Sequence, residues 1–381
     1  MHGNIEAALK RCDLKERLNE IYAQERRSKP TRIVLGNTSC DQDSFLGAHV
    51  LGVVEGRIPV VNMPREVFSH KLDLCFMVSL MGLELDDLVF LEESEDGPVL
   101  VRGRQSISIR ESPVSAFLVD FSNPEKELLA CSAFSVERII DHRQVLEGSR
   151  VILHVQEMWI DLHAGSCCSL IFHYIQTYYR DELKLNPGHF KFLFLLSMAI
   201  LTDTSFLTER IHKLDVLALD RILAFTGISI EETKLVHAVV SQKQHCERAA
   251  STDIILQMCH KRHEYPDGSG RLFGVSLVKY GYDEWVARDT PKEFLKKMQE
   301  FTCRKGYEFL IVNSIENEVR EFFVFSPPAK DFAQKVLYGD SEERKREVGG
   351  HPELPVYRTS TFFVGKMVIP KILRYLKNMP G

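Results

Sequence analysis

The chain has 381 residues, 44% of them hydrophobic, and 48 Lys and Arg against 53 Asp and Glu give a formal net charge of -5. That length supports two cores, since a single core stops growing near about 250 to 300 residues. The mild acidity supplies no electrostatic footprint for general nucleic-acid or membrane binding. Nine cysteines, two of them adjacent (Cys167 and Cys168) and none in a Cys-x-x-Cys pair, signal neither a disulfide framework nor a zinc ribbon. They point to a reducing, cytoplasmic setting.

Residues 1–18 mix charges of both signs and read as a short amphipathic helix, without the apolar stretch of a signal peptide. Residues 32–35 are a compact apolar run closed by Gly36. The polar loop 37–44 and a helical stretch at 45–54 follow, which is the strand, loop and helix that open an α/β unit. Further strands are expected at 59–63, 88–91, 116–119 and 136–140, with helical stretches at 69–82 and 166–180 between them. Strands alternating with helices predict an α/β fold with a mainly parallel sheet covered on both faces.

The apolar segment 190–201 carries Lys191 and is too short to cross a bilayer, so it reads as a buried helix or strand. Helices are expected at 214–225 and 230–240, and the polar run 241–245 then sets a boundary between domains 1–240 and 241–381. The second domain reads as a smaller α/β unit. It has a helix at 291–305, strands at 309–312 and 321–325, a turn at Ser326-Pro327-Pro328 and a charged run at 340–347.

Asp41 and Asp43 lie in the loop after the first strand, while Asp120, Asp141 and Asp203 each follow an apolar run. The runs read as core elements, mostly strands, that deliver carboxylates to one sheet edge. Crowded carboxylates repel one another and shift upward in pKa unless a cation holds them, so a divalent metal cluster is the economical reading. Singly, such aspartates are ordinary helix caps and turn residues. The triplet Asp141-His142-Arg143 tips the balance, because it sets a carboxylate, a metal-competent imidazole and a phosphate-matching guanidinium at one strand end.

Gly36-Asn37-x-x-x-Asp41-x-Asp43-Ser44, Val119-Asp120, Asp141-His142 and Leu201-x-Asp203-Thr204 resemble, in order and spacing, the four successive motifs of the DHH phosphoesterase superfamily. The resemblance covers about residues 33–223 and is greatest to the branch of eukaryotic exopolyphosphatases, family II pyrophosphatases and Prune-like proteins. It implies a DHH-type N-terminal domain and a smaller C-terminal α/β domain closing over the cleft. It also implies two divalent ions, one held by Asp41 and Asp120, the other by Asp43, Asp120, His142 and Asp203. With Asn37 where pyrophosphatases have a histidine, the set suits magnesium, with manganese or cobalt as alternatives.

On the same resemblance Asp120, His142 and Arg143 are catalytic, and Asp141 supports His142 from behind. Arg143 stands where most of the superfamily has a second histidine. It cannot release its proton near neutral pH, so it can only stabilise charge. Asn37, Arg65, Arg143, Lys261 and Lys366 are the implied substrate contacts. Lys261 lies in Leu256-x-x-Cys259-x-Lys261, and Lys366 in Gly365-Lys366-Met367-Val368-Ile369-Pro370. The implied activity is two-metal hydrolysis of terminal phosphoanhydride bonds in short inorganic polyphosphate, releasing orthophosphate. Inorganic pyrophosphatase, Prune-like cyclic-nucleotide phosphodiesterase and Prune-like interaction protein are the alternatives. The implied partner is a small phosphate anion, with no role for nucleic acid or membrane, and the oligomeric state stays open.

Overall fold

A computed structural model describes residues 3–145, 155–243, 249–316, 319–329, 331–333, 335–336, 345–359 and 365–379. The chain divides into two compact units, Met1–Lys243 and Gln244–Gly381, each with its own sheet. Among the described residues, no helix is long and apolar enough to cross a membrane.

The first unit contains strands β1 (Thr31–Leu35), β2 (Ile58–Val61), β3 (Val89–Ser94), β4 (Gly97–Arg102), β5 (Gln105–Ser108), β6 (Val114–Val119), β7 (Phe134–Asp141) and β8 (Glu157–Ile160). Their order across the sheet is β5-β4-β3-β2-β1-β6-β7-β8. All neighbours from β3 to β8 run parallel, and only the β4 and β5 edge is antiparallel. Ile33, Leu35, Ile58, Val60, Ala116, Leu118 and Ile139 form one core face. All six residues of β6 are buried, as expected of a strand covered on both faces.

The chain builds outward from β1 through β3, then returns to the other side of β1 as β6. Leu35 and Leu118, the end residues of that pairing, lie side by side. Ligands on open α/β sheets bind at such a switch point. The fold thus sets the loop of Asp41 and Asp43 beside Asp120.

Three local expectations are sharpened. The N-terminal segment forms two helices, Gly3–Lys10 and Leu14–Glu25, broken at Asp13, whose φ is 48°. The helix expected at 69–82 narrows to Leu72–Leu80 and is preceded by a separate short helix, Arg65–Phe68. Asp203 ends a helix, Phe194–Asp203, which resolves the choice left open between helix and strand for a run in which every residue from Phe194 to Leu201 is buried. An apolar run enclosed all round has no periodicity to separate helix from strand.

The second unit contains β9 (His260–Glu264), β10 (Leu272–Val278), β11 (Tyr307–Glu316), β12 (Val319–Phe325), β13 (Lys345–Glu347) and β14 (Pro355–Thr359), in the order β13-β14-β12-β11-β10-β9. Only β10 and β11 pair in parallel. One face packs Phe273, Phe309, Ile311 and Phe322 against Val368, Ile372 and Leu376 of the helix Gly365–Lys377. The expected helix Pro291–Lys305 starts with Thr290 accepting from the Glu293 N–H and stops at Gly306, which is left-handed at φ 66°. Residues 340–344 of the charged run lie outside the described residues.

Buried histidines make stability acid-sensitive. His49 is 3% exposed. Its Nδ1–H donates to the Phe45 carbonyl at 2.8 Å, and burial lowers its pKa to about 4. Burial likewise lowers His260 to about 3 and His263 to about 4. The folded chain therefore binds fewer protons than the unfolded one, whose histidines titrate near about 6.5. Their contribution is fully present above that pH and drains away as pH falls from about 6.5 toward 4. Urea midpoints measured across this range should fall steadily; a flat series would contradict the burial of these rings.

Candidate active site

The site begins where β1 ends. Gly36 passes so close over the Gln42–Glu55 helix that a Cβ there would sit 2.9 Å from the Ser44 Cβ and from its carbonyl oxygen. The Asn37 N–H then donates to Ser44 Oγ at 3.1 Å, and Asp41 caps the helix by accepting from the Ser44 N–H at 3.1 Å. This holds Asp43 in the first turn with its side chain buried.

Asp120 follows β6 with a left-handed φ of 52° and is fully buried. A non-glycine residue held there costs on the order of 1–3 kcal/mol, so its surroundings must fix it. They do so through Oδ2, which accepts from Asn37 Nδ2 at 2.6 Å and Ser44 Oγ at 2.8 Å.

Asp43 meets the N-terminus of the helix Cys167–Tyr178, where free N–H groups attract anions. Its Oδ1 accepts from Ser166 Oγ at 2.6 Å and the Cys168 N–H at 2.9 Å, and its Oδ2 from the Cys167 N–H at 2.7 Å. His142 donates Nδ1–H to the Ala164 carbonyl at 3.1 Å, which turns Nε2 inward. Nε2 stands 3.3 Å from Asp120 Oδ1 and 4.0 Å from Asp43 Oδ2. Ligand atoms of Asp43, Asp120 and His142 all lie within 4.8 Å of one another. Asp203 interacts with Asp43, each carboxyl shifting the titration of the other.

The electrostatics are those of a crowded anionic pocket. Burial, then Asp43, raises the Asp203 carboxyl well above its ordinary value. Burial, then Asp120, raises Asp141 to about 6. For Asp43 and Asp120 burial acts in the same sense but is outweighed, by His142 and Asp203 in the first case and by Arg143 and His142 in the second. Both carboxyls lie below their ordinary value. Burial would lower His142, yet Asp120 and Asp43 outweigh it and raise the imidazole.

Three ligand-type atoms here are enclosed and accept or donate no hydrogen bond among the described residues: Asp120 Oδ1, His142 Nε2 and Asp203 Oδ2. Asp120 Oδ1 nonetheless has Arg143 Nη1 as an ion-pair partner at 2.5 Å, a nitrogen with two N–H groups that also donates to the Asp120 carbonyl at 2.8 Å. An unpartnered buried polar atom costs about 1–3 kcal/mol. A divalent cation held by Asp43, Asp120 and His142 would engage Asp120 Oδ1 and His142 Nε2, and oxygen donors with one imidazole suit magnesium or manganese. The residues present fit the ion that the sequence predicts.

The remaining predicted residues are placed as follows. Asp41 lies beside the group, with Asn37 Nδ2 and Ser39 Oγ each 3.4 Å from its Oδ2. Asn37 is 5% exposed, and its amide is engaged by Asp120, Asp41, Ser39 and Cys40, so it positions Asp120 and does not stand free for substrate. Asp141 does not orient His142, whose Nδ1 is held by Ala164; its Oδ1 instead accepts the Arg143 N–H at 3.1 Å. Arg65 pairs with Asp86, and its N–H meets Glu92 Oε1, contacts that account for it without substrate. Lys261 is exposed on β9 of the second unit, and Lys366 falls in the helix Gly365–Lys377 with its side chain outside the described residues.

Sequence reasoning missed four supporting groups: Ser44, Ser166, the Ala164 carbonyl and Asp215. Asp215 is fully buried and accepts from Gly165 N–H at 2.9 Å, Ser166 N–H at 3.3 Å, Ser169 Oγ at 2.7 Å and His212 N–H at 2.8 Å. Its signal was the His212-x-x-Asp215 capping box at the start of the helix Lys213–Thr226. Cys167 and Cys168 are fully buried, with thiols pushed well up by burial and Asp43, hence unsuited as nucleophiles.

No family profile matches the chain. A Schizosaccharomyces pombe (strain 972 / ATCC 24843) protein, provisionally named an exopolyphosphatase, is 27% identical over 268 residues, 67% of this chain and 65% of its own length. The chain thus spans just under two thirds of that relative. Among solved structures, a Methanococcus jannaschii protein provisionally described as a family II inorganic pyrophosphatase matches with a TM-score of 0.61 at 17% identity, covering 91% of this chain and 100% of that one. That likeness establishes a shared fold. The ordered aspartate motifs and the yeast relative support a DHH phosphoesterase superfamily assignment, with which this shared fold agrees.

Proposed function

We propose that the chain is a metal-dependent exopolyphosphatase that hydrolyses the terminal phosphoanhydride bond of short inorganic polyphosphate and releases orthophosphate. The observation that carries this reading is the enclosed group Asp43, Asp120 and His142, whose ligand-type atoms all lie within 4.8 Å of one another, with the buried and unpartnered Asp203 Oδ2 beside it. In this reading Asp41 and Asp120 hold one divalent ion and Asp43, Asp120, His142 and Asp203 the other. Magnesium is the natural occupant, and manganese or cobalt substitutes. Ions held this way supply a nucleophilic water of lowered pKa and neutralise phosphoryl oxygens.

The chain's own residues do the rest. Ala164 fixes the imidazole so that Nε2 faces the carboxylates, and Asn37 and Ser44 fix Asp120. Arg143 is anchored on the Asp120 carbonyl with its side chain 30% exposed, so its other N–H groups can meet phosphate oxygens. Because guanidinium keeps its proton, Arg143 stabilises charge and moves none. Residues 1–240 form the metal domain in this reading.

A phosphate-release assay with pyrophosphate, tripolyphosphate and long polyphosphate, each with magnesium, manganese or cobalt, tests the proposal. Ion-dependent release should be fastest from tripolyphosphate. Release from pyrophosphate alone would make the chain a pyrophosphatase. Cleavage of cyclic nucleotides alone would make it a phosphodiesterase, and inactivity toward all of them would leave a binding role.

A further inference from the structure

Behind the acidic group, five side chains that the mechanism above does not use form one line of hydrogen bonds. Gln42, between Asp41 and Asp43, directs Nε2 at Asp73 Oδ2 (3.3 Å), which turns its Oε1 toward Thr202 Oγ1 at 2.9 Å. Thr202, next to Asp203, also faces the Met198 carbonyl at 3.0 Å and His237 Nε2 at 3.0 Å. His237 Nδ1 lies 3.1 Å from Ser241 Oγ.

A hydroxyl has one proton and two lone pairs. The Gln42 and Met198 oxygens can only accept, so they compete for the single Thr202 proton. His237 Nε2 must therefore be the donor in its bond to Thr202, and Ser241 donates to Nδ1. The ring is 8% exposed, and burial lowers its pKa, which keeps it neutral. His237 also meets a strained turn. Ser205, Phe206 and Leu207, immediately after Thr204, have left-handed φ of 46°, 60° and 59°. The Phe206 ring stands edge-on to His237 with centroids 4.3 Å apart.

We propose that His237 is a positioning residue: as N–H donor to Thr202 and ring partner of Phe206, it fixes the segment carrying Asp203 and, through Gln42, the loop carrying Asp41 and Asp43. The inference rests on the metal-centre reading above. It is tested by manganese titration calorimetry on the full chain, with melting temperatures recorded in parallel, for wild type, His237→Leu, His237→Gln and Thr202→Val.

Leucine removes both hydrogen bonds of the ring, and valine deletes only the Thr202 hydroxyl. Each should weaken manganese binding about tenfold, the scale of lost support behind metal ligands. Glutamine can still donate to Thr202 and should recover most of the affinity. In the phosphate-release assay, kcat should fall in the leucine variant with KM for tripolyphosphate little changed. Manganese affinity unchanged in the leucine and valine variants would overturn the inference whatever their melting temperatures, as would a glutamine variant as weak as leucine. Wild-type protein that takes up no manganese would overturn the metal-centre reading and this inference with it.

Discussion

Asp120→Asn should reduce metal-dependent phosphate release by about a thousandfold or more while leaving the chain folded. Asp120 is the carboxylate common to both proposed ions, and its Oδ1 is the oxygen left without a hydrogen bond. An amide preserves shape and can still accept from Asn37 and Ser44, so the scaffold around Oδ2 survives. The substitution also removes one negative charge from a pocket where Asp43, Asp120 and Asp203 repel one another. Arg143 loses an ion-pair partner but retains the Asp120 carbonyl and has Asp141 Oδ1 at 4.0 Å. The loss is thus chemical, and a thousandfold corresponds to about 4 kcal/mol of transition-state stabilisation. Phosphate release and thermal melting measured side by side decide it. An active variant would remove Asp120 from the mechanism.

Arg143→Ala should lower kcat by about a hundredfold to a thousandfold, the scale for removing one preorganised donor to developing charge. The guanidinium is held at a defined place, 2.8 Å from the Asp120 carbonyl and 2.5 Å from Oδ1. Desolvation works against its charge, yet Asp120 and the neighbouring carboxylates raise its pKa above the ordinary arginine value. It is therefore a permanent cation. Lysine restores charge without the planar fork, so Arg143→Lys should recover only part of the rate. If steady-state kinetics on tripolyphosphate give the alanine variant wild-type kcat, Arg143 serves only to neutralise Asp120.

Much of the site was legible because its chemistry is carried by residue identity at the ends of apolar runs. β1, β2, β3, β6 and β7 are such runs, and the motif order fixed which acids share a sheet edge. The helical nature of 194–203 was hidden, since a segment buried on every side shows neither period. The orientation of His142 was hidden for another reason: its partner is a backbone carbonyl, and Ala164 carries no trace of that role in its side chain. Asn37 entered as a substrate contact through the resemblance alone, which carries no information on the packing that commits its amide to Asp120 and Asp41. β9, His-Lys-Arg-His-Glu, has no apolar alternation, and only its pairing with β10 makes it a strand.

The central claim is that Asp43, Asp120, His142 and Asp203 hold a divalent ion. Anomalous diffraction at the manganese edge, from crystals grown with that ion, tests it most directly. The account predicts a peak at bonding distance, about 2.1 Å, from His142 Nε2 and from carboxylate oxygens of Asp43, Asp120 and Asp203. A fully loaded crystal with manganese elsewhere and none among these four side chains would contradict it.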